Sequence, residues 1–174
     1  ICEPLTRLGG RLTGLDPAIE NIEAARRHAS GQGLEIDYRA ARVEDLESEA
    51  QTFDAVICLE VVEHVPDVGA FLASCATLVR PGGLMLLSTI NRTMKAYLLA
   101  IVGAEYVLRW LPAGTHQWDR FIMPDELADH LAAAGLGTPE FAGLVYNPFT
   151  AEWSLSERDL DVNYLASAAK PDVA

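Results

Sequence analysis

FDAVICLEVVEHVPDVGAFLASCATLVRPGGLMLLSTIN, residues 53–91, is the stretch from which the fold is read. It opens on a β-rich apolar run that stops abruptly at an acid, Glu60, and closes on a second run, LMLLST, launched by Pro81-Gly82-Gly83. Between them DVGAFLASCATLV has the pattern of a helix of about ten residues, long enough for a parallel crossover. Two buried strands joined in this way form a βαβ unit. Such a unit places Glu60 in the crevice at the carboxyl edge of a parallel sheet, where open α/β folds bind their ligands. The segment points to an enzyme of the nucleotide-cofactor kind.

The flanks extend the pattern. A helical ICEPLTRL closes at Gly9-Gly10, and Arg11 to Leu15 reads as a short strand ending at Asp16-Pro17. Pro17 opens a helix over 18–30, Leu34 to Arg39 is a further strand, and ARVEDL is a loop carrying Glu44 and Asp45. Downstream, Pro124 starts a helix that Gly135 ends. Residues 138–170 then alternate apolar and polar with turn signals at Asn147-Pro148 and Glu157-Arg158, which suits an antiparallel terminal hairpin. The order is that of an α/β, doubly wound, mostly parallel sheet with an antiparallel C-terminal edge strand. The chain begins at Ile1 directly on a helical pattern, so the expected first strand and its glycine loop are missing and the chain reads as a fragment.

With 174 residues, one domain spanning 1–174 is expected, carrying an apolar insert over about 92–123. A hydrophobic fraction of 50% excludes a disordered chain. The net charge of -12 argues against nucleic acid as a partner and against purely electrostatic attachment to an anionic membrane. Cys2, Cys58 and Cys75 are too few for a disulfide framework and read as thiols of a reducing compartment.

Asp16, at a strand end, can accept both hydroxyl protons of a ribose, and it can equally cap the following helix. Glu44 and Asp45 lie where such folds hold an adenine edge, unless they are solvated loop acids. Glu60, Glu63 and His64 are the densest constellation, able to converge on one divalent cation or one acidic proton. Mg²⁺ prefers oxygen, which makes a histidine ligand unusual. As a base, His64 works from an ordinary pKa of about 6.5, suited to a phenol. The same residue types after this strand also occur without a metal. His116, beside Trp118 and Phe121, either lines an apolar pocket or packs structurally.

The apolar run from Tyr97 to Leu111 is too short to span a bilayer comfortably and is interrupted by Glu105 and Arg109. It reads as a lid, as an interfacial helix or helix pair, or as both at once.

LTGLDP, LEVVEHVPDV, RPGGLMLLSTINRT, VGAEYVLRWLPAGTH, the Phe121/Pro124/Glu126-Leu127 run, GLVYNP and LDVNY together resemble the ubiquinone biosynthesis O-methyltransferase family. The likeness covers essentially the whole chain, and STINR, VGAEY and DVNY are more specific than the shared core. It implies a Rossmann-like methyltransferase fold and S-adenosylmethionine as cofactor, contacted at Asp16 and Leu59. It implies Mg²⁺ on Glu60, Glu63 and His64 in magnesium-dependent members; from the residues themselves, His64 and Glu60 are the candidate catalytic pair. The implied substrates are polyprenyl phenols and quinols, methylated at both hydroxyl positions that arise on the ring (2-polyprenyl-6-hydroxyphenol and 3-demethylubiquinol). Also implied are peripheral membrane contact through residues about 92–114, a place on the cytoplasmic face of the inner membrane or the matrix side of a mitochondrion, and association with a ubiquinone-synthesis complex. Two other readings of the residues stay open: a membrane-associated scaffold without catalysis, and a nicotinamide-dependent oxidoreductase.

Overall fold

The strand that begins at Phe53 pairs with the strand after Pro81-Gly82-Gly83 in parallel, so the crossover expected from residues 53–91 is the centre of the architecture. The structure is a computed structural model describing residues 1–107, 112, 114–115, 117–147 and 150–172. Its contacts divide the chain into two compact units, Ile1–Gln51 and Thr52–Ala174.

The first unit runs α1 (Cys2–Arg7), β1 (Thr13–Asp16), α2 (Ile19–Gly31), β2 (Asp37–Ala40) and α3 (Val43–Glu47). β1 and β2 are parallel, with Asp16 opposite Ala40. α2 buries Ile22 and Ala29, seven residues apart and so on one face. ARVEDL is not a loop: Val43–Glu47 is a short helix, because the Asp45 carboxylate accepts the Arg42 N–H at 2.8 Å and caps it.

The second unit runs β3 (Phe53–Leu59), α4 (Val68–Leu78), β4 (Val79–Ile90), α5 (Met94–Ala96), a π-helix (Tyr97–Val107), a 3₁₀ turn (Trp118–Arg120), α6 (Pro124–Ala133), β5 (Glu140–Asn147), β6 (Glu152–Ser156) and β7 (Asn163–Ala169). Its sheet has the order β3-β4-β7-β5-β6. β7, last in sequence, lies between β4 and β5 and is antiparallel to both. The antiparallel edge is therefore made by the β5–β6 hairpin. β3 is less buried than its apolar sequence suggests, with Asp54, Ala55 and Ile57 exposed. In this sheet it is an outer strand, paired by β4 alone.

Asp67 starts α4 by accepting the Ala70 N–H at 2.9 Å. α4 buries Leu72, Cys75, Ala76 and Leu78, and α6 packs against it with Leu127 and Leu131 at helical spacing. Burial in this core pushes the Cys58 thiol up, with smaller contributions from Cys75 and Glu63. Lys170, just past β7, donates to the Ala76 and Val79 carbonyls at 2.8 Å each and so closes the C-terminal end of α4. Lys170→Ala removes a charged donor from both carbonyls, leaving the Ala76 carbonyl with the Val79 N–H, and is expected to cost about 1–2 kcal/mol in urea unfolding. Unchanged stability would show that water replaces the ammonium at no cost.

Candidate active site

The carboxyl end of β3 holds the side chains singled out above, and the next residues bring in two strands to fix them. Glu60 has φ +54°, a left-handed conformation that non-glycine residues take at a cost and that concentrates at functional sites. Its N–H donates to the Ser88 carbonyl at 3.0 Å. Its exposed carboxylate accepts from Ser88 Oγ at 2.7 Å on Oε1 and from Asn163 Nδ2 at 3.4 Å on Oε2.

Glu63 is held differently. Its side chain is 2% exposed, Thr89 Oγ1 donates to Oε2 at 2.8 Å, and among the described residues Oε1 has no hydrogen-bond partner. His64 Nε2 stands 3.9 Å from that Oε1, and the His64 side chain is half exposed. Consecutive residues of a strand face opposite sides of a sheet. Ser88 and Thr89 are consecutive on β4, so Glu60 is gripped on one face and Glu63 on the other. Register agrees: Ile90 lies opposite Asn163 on the Ser88 face, and Thr89 opposite Tyr164 on the Glu63 face.

Glu60, Glu63 and His64 are thus not brought to one point, although only four positions separate the first from the last. Among the described residues no group of three His, Cys, Asp or Glu side chains is arranged to hold a metal ion. The magnesium set of the resemblance does not fit as a three-ligand centre. The orphaned Glu63 Oε1 beside His64 is the one pair of the three that shares a space.

Glu63 borders two clefts, and His64 the smaller of them. One, of about 360 Å³, is lined by Val62, Glu63, Arg92, Arg120, Phe121 and Glu126 among others. A smaller one is lined by Glu63, His64, Gln117, Arg120 and Phe121 among others. Arg92 pairs with Glu126, whose other oxygen accepts the Met123 N–H at 3.0 Å at the start of α6. Tyr164 is fully buried and donates to the Ile122 carbonyl at 2.9 Å, which fixes the chain entering α6. Burial, helped by Glu126 and Glu63, holds its hydroxyl well above the ordinary tyrosine range.

In the first unit Asp16 is not the N-cap of α2, which is Ala18 without a side-chain cap; it forms an Asx turn on the approach to that helix. Oδ1 accepts the Ala18 N–H at 2.8 Å and Oδ2 accepts Asn21 Nδ2 at 3.0 Å. A carboxylate has about four lone-pair positions, so two remain for a ribose. Asp45 is used in capping α3, and Glu44 is exposed. Leu59 is half-buried and pairs with Ser88 in the β3–β4 ladder. His116 lies outside the described residues. Ser88, Thr89 and Asn163 carried no assigned role in the sequence, although they sit inside the specific STINR and DVNY motifs.

Residues 1–87, half of the chain, match the methyltransferase-domain family. A ubiquinone biosynthesis O-methyltransferase from Rhodopseudomonas palustris is 56% identical over 168 residues, 97% of this chain and 65% of the relative. One of the same description from Chelativorans is 53% identical over 171 residues, 98% of this chain and 67% of the relative. The chain belongs to the ubiquinone biosynthesis O-methyltransferase family. It spans about 65% of the length of the Rhodopseudomonas palustris relative. The fold of this family member is shared with solved methyltransferases. A SAM-dependent methyltransferase from Methanosarcina mazei superposes with a TM-score of 0.71 at 17% identity, covering 99% of this chain and 88% of that one. Magnesium protoporphyrin IX methyltransferase from Synechocystis, with bound SAH, gives 0.66 at 16%, covering 96% and 67%.

Proposed function

We propose that this protein transfers the methyl group of S-adenosylmethionine to a phenolic oxygen of a polyprenyl hydroxyphenol or catechol in ubiquinone synthesis. One observation carries the reading: the likeness to ubiquinone biosynthesis O-methyltransferases runs through the insert and the terminal strands, not only through the shared core. The nicotinamide reading loses its support with the methyltransferase-domain match.

A phenol has a pKa near about 10, so its oxygen needs help to attack at neutral pH. Glu60 is the exposed carboxylate in a set position, and it is proposed to accept the hydrogen bond of the acceptor hydroxyl. As the oxygen–methyl bond forms and the sulfur–methyl bond breaks, the proton passes to Glu60 or His64, and the positive charge on sulfur is discharged. Asp16 is proposed as a ribose acceptor, Leu59 as a cofactor contact and Glu44 as an adenine-edge residue. Of the magnesium proposal, the adjacent Glu63 and His64 are the part that shares a space, and no step is routed through a metal. The test is a titration with S-adenosylmethionine and NADH, using a form extended to the full length of the relatives. Saturable binding of the first alone supports the reading; binding of NADH alone would overturn it.

The substrate class also gives the insert a use. Met94, Leu98 and Leu99 are 65%, 54% and 55% exposed, whereas Ala96 and Ile101 pack on Ile90 and Phe121. Among the described residues no helix is long and apolar enough to cross a membrane. The exposed apolar side suits shallow insertion at the lipid surface, where a polyprenyl tail resides. Leu98→Asp with Leu99→Asp is expected to lower partition onto neutral phosphatidylcholine vesicles at least tenfold, since burying one leucine is worth roughly 1.5–3 kcal/mol. Equal partition of both proteins in a flotation assay would remove the membrane role.

A further inference from the structure

Glu60 combines three features that rarely meet by chance: a left-handed backbone, an exposed carboxylate, and donors on both of its oxygens. The donors come from two different strands. Ser88 is near the end of β4 and only 7% exposed, and Asn163 is the first residue of β7. β4 and β7 are locked in register from Leu84↔Ala169 to Ile90↔Asn163.

The chain leading into β7 is pinned again from the other side. The Asn91 N–H donates to the Val162 carbonyl at 2.7 Å, and Asn91 Nδ2 donates to the Leu160 carbonyl at 2.9 Å. Lys95 bridges Asp159 and Asp161 at 3.0 and 3.2 Å. Neither Ser88 nor Asn163 can therefore drift far, and neither is assigned a role by the reaction as derived so far.

We infer that Ser88 and Asn163 are positioning residues that act through Glu60. Together they form a two-strand clamp that holds its carboxylate at the sheet edge for the acceptor hydroxyl. The clamp places one donor on each carboxylate oxygen. It also holds the left-handed backbone at Glu60, since Ser88 bonds both the side chain and the N–H of that residue. The inference rests on the methyl-transfer reading for its consequence and on geometry for its existence.

The sign of the Asn163 effect separates positioning from packing. Asn163→Asp preserves shape but sets a second negative charge beside Glu60, and like charges in contact repel. In a full-length form, Asn163→Ala and Ser88→Ala are each expected to lower kcat about tenfold, with the KM for S-adenosylmethionine within twofold. Asn163→Asp is expected to lower kcat further than Asn163→Ala, about a hundredfold. Were packing the role, the isosteric aspartate would be the milder change. In a Glu60→Ala background, followed by labelled methyl transfer, either alanine change should add less than twofold. The same cycle read in urea midpoints stands apart from turnover. Coupling there in a protein that transfers no methyl group would sink the methyl-transfer reading and keep the clamp. Effects that simply multiply in kcat and add in midpoint, or an Asn163→Asp protein more active than Asn163→Ala, would overturn the clamp.

Discussion

With Glu60 changed to Gln, methyl transfer is expected to fall by about 10²–10³-fold, the scale of losing one preorganised polar group in an active site. Affinity for S-adenosylmethionine should stay within about twofold. The substitution keeps volume, and the amide oxygen can still accept from Ser88 Oγ, which reaches Oε1 at 2.7 Å in the parent. What it removes is the capacity to take a proton from the acceptor hydroxyl. The loss should therefore appear in kcat, because an interaction strengthened in the transition state shows there and not in ground-state affinity. Single-turnover transfer measured beside equilibrium cofactor binding makes the comparison. Full transfer by the variant would remove Glu60 from the chemistry and leave His64 as the base.

Gly143→Ala should have the largest effect on folding of any single methyl group added to the second unit. A Cβ at Gly143 would lie 2.7 Å from the carbonyl carbon of Asp159 and closer still to its oxygen. The obstacle is backbone and cannot rotate away. The segment that would have to move, 159–162, is tied down by Asn91, Thr93 and Lys95. Overpacking against such a fixed wall costs typically about 1–3 kcal/mol and occasionally more; here about 3 kcal/mol or above is expected. Urea unfolding of the full-length form measures it, and a loss below about 1 kcal/mol would mean that the 159–162 segment yields. Because Asn163 follows directly, the variant should also lose transfer beyond its loss of stability.

The two strands of residues 53–91 and their crossover were legible because apolar runs, a turn and an N-capping Asp67 all agree there. The place of β7 between β4 and β5 is a long-range pairing that no local pattern encodes. ARVEDL was misread as a loop because a five-residue helix shows too little periodicity, although the Asp45 cap was visible in hindsight. At the site, Glu60 and Glu63 looked convergent because they lie within a few residues of each other just past a strand end. The chain turns left-handed at Glu60, and the alternation of Ser88 and Thr89 then assigns the two carboxylates to opposite faces of β4. The donors that set this arrangement are uncharged residues of strands distant in sequence, so the search for acids and histidines passed over them.

The central claim is methyl transfer to a ring oxygen, and product analysis tests it most directly. A full-length form would be given S-adenosylmethionine labelled in its methyl group and a short-tailed catechol, with and without a chelator. Mass spectrometry and NMR would then locate the label. The expected product is an aryl methyl ether, and the chelator arm reads whether a divalent cation takes part in forming it. Label on carbon or nitrogen, or no product from a protein that binds the cofactor, would contradict methyl transfer to oxygen.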